Sequence, residues 1–219
     1  MLFNLQLLIS FILGGLFIAL QSLIAERVKG FWRNIVLTVP STMALGLFFI
    51  GLTKTPQDVV QASLMVPAGL SADYIFVMFF ALLARFNFYI SLIGSLSAWA
   101  ISGLVLILYP PASYMTSIFI YALPIIVITY FVVKKLPQTQ DLKPFPMTSR
   151  NIFIRAMIGG SVIFLIVLLS KTLGNIWGGL FAVFPASYTA TFSIYYHMQG
   201  KQSIPTVAKT LFFPGIIGF

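Results

Sequence analysis

From Leu2 to Ile24 the chain carries no charged side chain, and apolar runs of similar length follow one another almost to its end. Such a run leaves little choice of structure. Inside hydrocarbon there is no water to pair with backbone N–H and C=O groups, so a spanning segment must satisfy them itself, as a helix does. A bilayer core about 30 Å thick takes roughly 20 apolar residues per helix. The composition agrees: 59% of the residues are apolar and 8% charged, where a soluble domain carries about a quarter of its residues as charges. On this rule the expected spans are Leu2 to Ile24, Asn34 to Leu52, Val59 to Ala84, Phe88 to Leu108, Tyr114 to Val133, Ile152 to Ser170, Ile176 to Tyr196 and Ser203 to Phe219. The fold class read from this is an all-α polytopic membrane protein of about eight transmembrane helices, several of them broken by Pro or Gly. The lipid bilayer is its first partner.

Thirteen basic residues stand against four acidic ones, for a net charge of +9. A nucleic-acid binder gathers such charge on one solvated face. Here it falls in short gaps between apolar runs, so no nucleic-acid partner is expected. Basic residues in short loops stay on the cytoplasmic side. Arg27, Lys29 and Arg33 follow the first segment, Arg85 the third, Lys134, Lys135, Lys143 and Arg150 the fifth, and Lys201 the seventh. The intervening gaps hold Lys54, no charge around Pro110 and Pro111, and Lys171. The bias puts the N-terminus outside. It also argues for keeping the third segment as one broken span, because two spans divided at Pro67 would put the Lys134 to Arg150 gap outside. The first segment has no basic start and no small-residue cleavage site, so it reads as a retained span.

With no cysteine and a single histidine, His197, a disulfide framework, thiol catalysis and thiolate metal sites are excluded, and little remains for an imidazole centre. No metal and no cofactor is expected. Tyr195, Tyr196 and His197 read as an interfacial belt.

Ile12-Leu13-Gly14-Gly15 recurs as Met157-Ile158-Gly159-Gly160, and at the same offset Pro40-Ser41-Thr42 recurs as Pro185-Ala186-Ser187. Shared composition is the plain reading of short Gly and Pro matches; a constant offset over two motifs favours a repeat. Five spans separate the copies, an odd number, so they would enter the membrane in opposite directions, as in the inverted-topology repeats of many secondary transporters. The organisation read from this is a first membrane half, 1–133, a cytoplasmic linker, 134–150, and a second half, 151–219, whose three spans suggest truncation. The alternative is a complete eight-span protein with a three-span repeat.

The stretch from Arg155 to Phe219, with Gly159-Gly160, Leu168-Leu169-Ser170-Lys171, Ile176-Trp177-Gly178-Gly179, Phe184-Pro185 and His197, resembles the GlpM-type small bacterial inner-membrane proteins. The resemblance implies a bacterial inner-membrane location and an association with exopolysaccharide production. It implies no reaction. The chain departs from that family in size, with two diverged copies where the family has one.

Asp73 lies near the middle of the third segment, where a carboxylate costs about 2.5 to 3.5 kcal/mol on insertion scales and so faces a cavity or a partner. It would bind a coupling proton or cation. The other reading makes it a solvated helix cap near one surface. Pro40, Ser41 and Thr42, and Pro185 and Ser187, fall near the middles of spans two and seven, the symmetric places where a broken-helix transporter holds substrate. Thr191 stands one turn beyond Ser187. A simple proline kink, with hydroxyls bonded to their own helix, is the alternative. Gly14, Gly15, Gly159 and Gly160 read as close-packing sites. Glu26 and Arg27 read as interfacial anchors, and mid-span Trp99 reads as core.

An enzyme is not expected, since one mid-membrane acid supplies neither an aspartyl dyad nor a nucleophile with its base. The function expected is a secondary transporter or flippase working by alternating access on a small-molecule or lipid-linked substrate, either as a monomer or as a homodimer. The alternative is a non-catalytic accessory protein that scaffolds cell-envelope or exopolysaccharide biosynthesis.

Overall fold

A computed structural model of the chain describes residues 2–28, 41–136 and 148–212. These are helix and turn throughout: α1 (Leu2–Arg27), α2 (Ser41–Thr53), α3 (Pro56–Leu83), α4 (Phe88–Leu108), α5 (Tyr114–Lys135), α6 (Ser149–Thr172), α7 (Asn175–Ala182), α8 (Ala186–Gln199) and α9 (Ile204–Phe212), with one 3-10 turn at Lys201–Ser203. Four stretches are long and apolar enough to cross a membrane: Leu5–Ile24, Pro56–Leu83, Phe88–Leu108 and Ser149–Thr172. Ser41–Thr53 and Tyr114–Ile128 are shorter apolar helices. The protein is thus an all-α, multi-pass membrane protein, with four full-length candidate spans among the described residues in place of the eight expected.

Two expected spans differ in an instructive way. Ile176 to Tyr196 is not one segment but two helices, α7 and α8, parted at Val183–Pro185. Phe184 precedes a proline, which disfavours helical backbone there, and Pro185 brings no N–H to continue the ladder. The third segment does the opposite. It was expected to break at Pro67, yet α3 runs through that residue as a single helix. Beside the proline, the Ala68 N–H donates to Ser117 Oγ of α5 at 2.9 Å, so a backbone group next to the disturbed ladder keeps a partner.

Helix starts follow local chemistry. Thr55, Pro56 and Asp58 open α3 with a reciprocal box: the Thr55 N–H donates to Asp58 Oδ2 at 2.9 Å and the Asp58 N–H to Thr55 Oγ1 at 3.3 Å. Pro56 fills the first helical position, where no N–H is needed. Asn87 and Thr148 cap α4 and α6 through the N–H groups of Ile90 and Asn151.

The chain divides into two compact units, Met1–Val66 with Met147–Ala186, and Pro67–Pro146 with Ser187–Phe219. In the first, α1 and α6 pack antiparallel, Gln6 meeting Lys171 and Leu7 meeting Ile163 and Val167. Ile50, Ala62, Val162, Ile166, Ala182 and Ala186 form a second apolar cluster, drawn from α2, α3, α6, α7 and the first residue of α8. In the second unit, Phe80 stacks on Phe192 with ring centres 4.4 Å apart and Phe76 adds a third ring, joining α3 to α8.

The α1 and α6 contact has a reciprocal form. At the offset that relates the two glycine motifs, Phe11, Gly14, Gly15 and Ile18 correspond to Ala156, Gly159, Gly160 and Ile163. Gly14 lies against Ile163, and Gly159 lies against Ile18. Gly15 faces the Ala156 carbonyl, and Gly160 faces the Phe11 carbonyl. Each contact is thus matched by its counterpart, the pattern of an isologous, two-fold interface.

Candidate functional site

The buried stripe of α4 is Ser91, Ser95, Trp99, Gly103 and Leu106, residues that recur at helical spacing. Its serines are satisfied within the helix: Ser91 Oγ donates to the Asn87 carbonyl at 2.7 Å and Ser95 Oγ to the Ser91 carbonyl at 2.5 Å. Trp99 is different. Its indole needs an outside acceptor, and its Nε1–H donates to Asp73 Oδ1 on α3 at 3.1 Å. Both residues are 5% exposed.

Asp73 is therefore an interior residue of a membrane-length helix and not a surface cap. Trp99 is the one hydrogen-bond partner it has among the described residues, and that bond uses Oδ1 alone. No Lys or Arg among the described residues lies within electrostatic reach of the carboxylate. Three tyrosines are linked to this part of the structure. Tyr74 follows Asp73 on α3, its hydroxyl 3.4 Å from that of Tyr121 on α5, with ring centres 5.9 Å apart. Tyr188 on α8 interacts electrostatically with both Asp73 and Tyr121. Two residues before Asp73 on α3, Ser71 Oγ donates to the Ala68 carbonyl at 2.5 Å.

The sequence-predicted residues fall into both units. Asp73, Ser187 and Thr191 belong to the second unit; Ser41, Thr42 and Pro185 belong to the first. Pro40 lies outside the described residues. Ser41 is buried, and its Oγ donates to Gln21 Oε1 of α1 at 2.7 Å. Ser187 is exposed, while its neighbour Tyr188 is the α8 residue that senses Asp73. Thr191 is half-buried, three residues on from Tyr188 and on the same face. His197 is exposed, its ring centre 4.8 Å from that of Phe88 and close to Tyr196. Among the described residues no group of His, Cys, Asp and Glu could hold a metal ion.

Sequence reasoning missed three features. The partnership of Trp99 with Asp73 was legible only as two mid-span residues, since nothing in the chain fixes which faces meet. Lys209, on α9, is 6% exposed; it falls inside the apolar segment from Ser203 to Phe219, where a lysine is a signal in itself. The third lies in the first unit. Lys54 Nζ donates to the Ser170 carbonyl and to Asn175 Oδ1, both at 2.6 Å, and Asn175 Nδ2 donates to Asp58 Oδ1 at 2.6 Å. Lys54 and Lys171 were read as loop charges; the structure ties the first to the ends of α3, α6 and α7, and the second to Gln6 of α1.

No curated protein and no solved structure matches the chain. The GlpM-type resemblance rests mainly on Arg155 to Phe219, with a diverged copy near the N-terminus, and the family match does not carry that name. Over residues 7–110, which carry most of α1 and all of α2 to α4, and with them Asp73 and Trp99, the chain is similar to the family described as Protein of unknown function (DUF3147).

Proposed function

We propose that this protein is a secondary transporter or flippase of the bacterial inner membrane, working by alternating access, with Asp73 as the group that takes a coupling proton or cation. One observation carries the reading: a carboxylate inside a membrane-length helix, 5% exposed, held by a single indole N–H and by no fixed cation among the described residues. An acid so placed is costly to keep and has no structural need of its charge. A group of this kind serves best when its counter-charge comes and goes.

The inverted-topology repeat belongs to the same proposal. It is supported by the reciprocal contacts of α1 and α6, because an isologous pair of antiparallel helices has its two-fold axis across the helices, and hence in the membrane plane when they span it. The orientation proposed, N-terminus outside, follows from the basic gaps. The scaffold reading, by contrast, leaves the Asp73 charge without a use.

The test uses the cysteine-free background. Single cysteines at positions 41, 71 and 187 are labelled with a membrane-impermeant thiol reagent from either side of sealed vesicles of known orientation. Position 71 reacting from opposite sides at two pH values is the expected result. If all three stay unreactive from both sides, the transporter reading fails.

A further inference from the structure

Thr206 and Lys209 stand three residues apart on α9, one turn of helix, so they share a face. That helix is embedded: Ile204, Val207 and Ala208 are each at most 1% exposed, and Lys209 itself is 6% exposed. Thr206 is covered at the atom that matters, since its Oγ1 is buried and has no hydrogen-bond partner. Nor does Lys209 make a hydrogen bond or an ion pair with any described residue. Asp73, the other buried charge of the second unit, is bonded to Trp99 instead.

A lysine ammonium has three donors and no lone pair, so only an acceptor can answer it. In a helix a long side chain leans back toward the N-terminus, over the residues three and four before it, and three before Lys209 is Thr206. Because the hydroxyl accepts no bond from the ammonium, both groups keep their donors for a third. A buried ammonium without a counter-charge is costly. An oxyanion removes that cost and uses both groups, whereas a metal ion or an organic cation would be repelled by the ammonium. Lysine binds phosphate as a point charge, while the planar fork that grips a carboxylate at two points is arginine's.

The place in the fold agrees. The turn before α9 lies beside the Arg85 gap, with Lys201 Nζ donating to the Arg85 carbonyl at 3.2 Å. Lys209 is five residues, about 7.5 Å, along the helix from Ile204. Arg85 and Lys201 are both exposed at that end, and basic surface draws anions toward it. We propose that Lys209 and Thr206 form a binding site for a phosphate group, carried by a lipid headgroup or free in solution. The site is separate from Asp73 and does not depend on the transport reading.

The experiment titrates the full chain calorimetrically in a neutral maltoside detergent with two probes, inorganic phosphate and dihexanoyl phosphatidic acid below its micelle concentration. Dihexanoylglycerol, with the same chains and no phosphate, is the control. The wild type binds at least one phosphate probe saturably and the control at least about tenfold more weakly. Binding of inorganic phosphate shows that a free anion suffices; binding of phosphatidic acid alone assigns the site to a lipid headgroup. Lys209→Met, which keeps the length and removes the charge, weakens binding by at least about tenfold. Thr206→Val weakens it about two- to tenfold, and Thr206→Ser, which keeps the hydroxyl, by less than about twofold. Each variant is accepted only with the elution profile of the wild type, and if Lys209→Met does not fold, the Thr206 pair carries the comparison.

Failure of both probes to bind the wild type saturably overturns the proposal. So does a control that binds as well as phosphatidic acid, a Lys209→Met titration that matches the wild type, or a Thr206→Val titration that matches Thr206→Ser. Thiol labelling at positions 41, 71 and 187 reads a different property, so the transporter reading and the phosphate site stand or fall separately.

Discussion

Gly179 of α7 packs directly against the main chain of Ala62 on α3, with the Ala62 carbonyl oxygen standing where a Cβ would have to be. The obstacle is backbone, so it cannot rotate aside. Gly179→Ala is expected to force α7 off α3 and to cost about 1 to 3 kcal/mol, the usual range for overpacking. Thermal denaturation in detergent measures it; a variant as stable as the wild type would contradict this packing.

The reciprocity of α1 and α6 makes a paired prediction. A Cβ on Gly14 would lie 2.5 Å from Ile163 Cδ1, and one on Gly159 would lie 2.5 Å from Ile18 Cγ1. Gly14→Ala and Gly159→Ala should therefore lose stability alike, to within about 0.5 kcal/mol, the ordinary scatter between independent sites. Gly160→Ala should lose more than either, because its Cβ would meet the Phe11 carbonyl oxygen at 2.6 Å. Melting temperatures of the three variants in one detergent decide it, and a Gly160→Ala variant milder than the others counts against the geometry.

Trp99→Phe keeps a ring and removes the N–H that Asp73 accepts. A buried acceptor that loses its donor costs about 1 to 3 kcal/mol. In the background of Asp73→Leu, the same change has no acceptor to deprive and should cost much less. A double-mutant cycle on unfolding midpoints reads the difference, and strict additivity would show that the bond does not matter.

Ser117→Ala leaves the Ala68 N–H beside Pro67 without its hydroxyl acceptor. The expected loss is about 1 to 3 kcal/mol. Ser63→Ala, on the same helix but only half-buried and with its Oγ donating to the Val60 carbonyl one turn back, should change stability by less than about 0.5 kcal/mol. Equal effects at the two serines would sink the argument.

Asn175 joins Lys54 to Asp58, with a hydrogen bond of 2.6 Å on each side. Asn175→Leu removes both and leaves two charges to find other partners. The loss expected is about 1 to 3 kcal/mol, less than for a deeply buried pair because the network is only partly covered. Added salt should narrow the gap between variant and wild type by screening the charges; a gap that widens with salt would refute this account.

How much of this was readable beforehand depends on how local the cause is. The helices at Pro56, Phe88 and Ser149 begin where short polar caps precede apolar runs, and such signals lie within a few residues of one another. The break at Phe184-Pro185 has the same kind of local signal, although the expected span ran through it from Ile176 to Tyr196. The persistence of α3 through Pro67 was not, because the group that answers the Ala68 N–H is Ser117, on another helix. Asp73 stood out as a charge in an apolar run, but its partner did not. Hydrophobic periodicity is nearly silent when both faces of a helix are apolar, so it could not say that Trp99 turns toward Asp73 or that Tyr188, and not Ser187, is the α8 residue that senses the acid. The glycine repeat was visible as letters; only the coordinates show that its contacts are reciprocal.

A helix whose glycine contacts are returned by its counterpart carries both halves of one docking surface. In α1, Phe11, Gly14, Gly15 and Ile18 supply the knob, the hollow and the carbonyl that α6 supplies in turn. The information needed to build the pair is therefore already complete in one strand of it. Altering one member of this surface therefore disturbs the pair at one place and leaves the counterpart contact standing, so the docking of the two helices can be probed one half at a time.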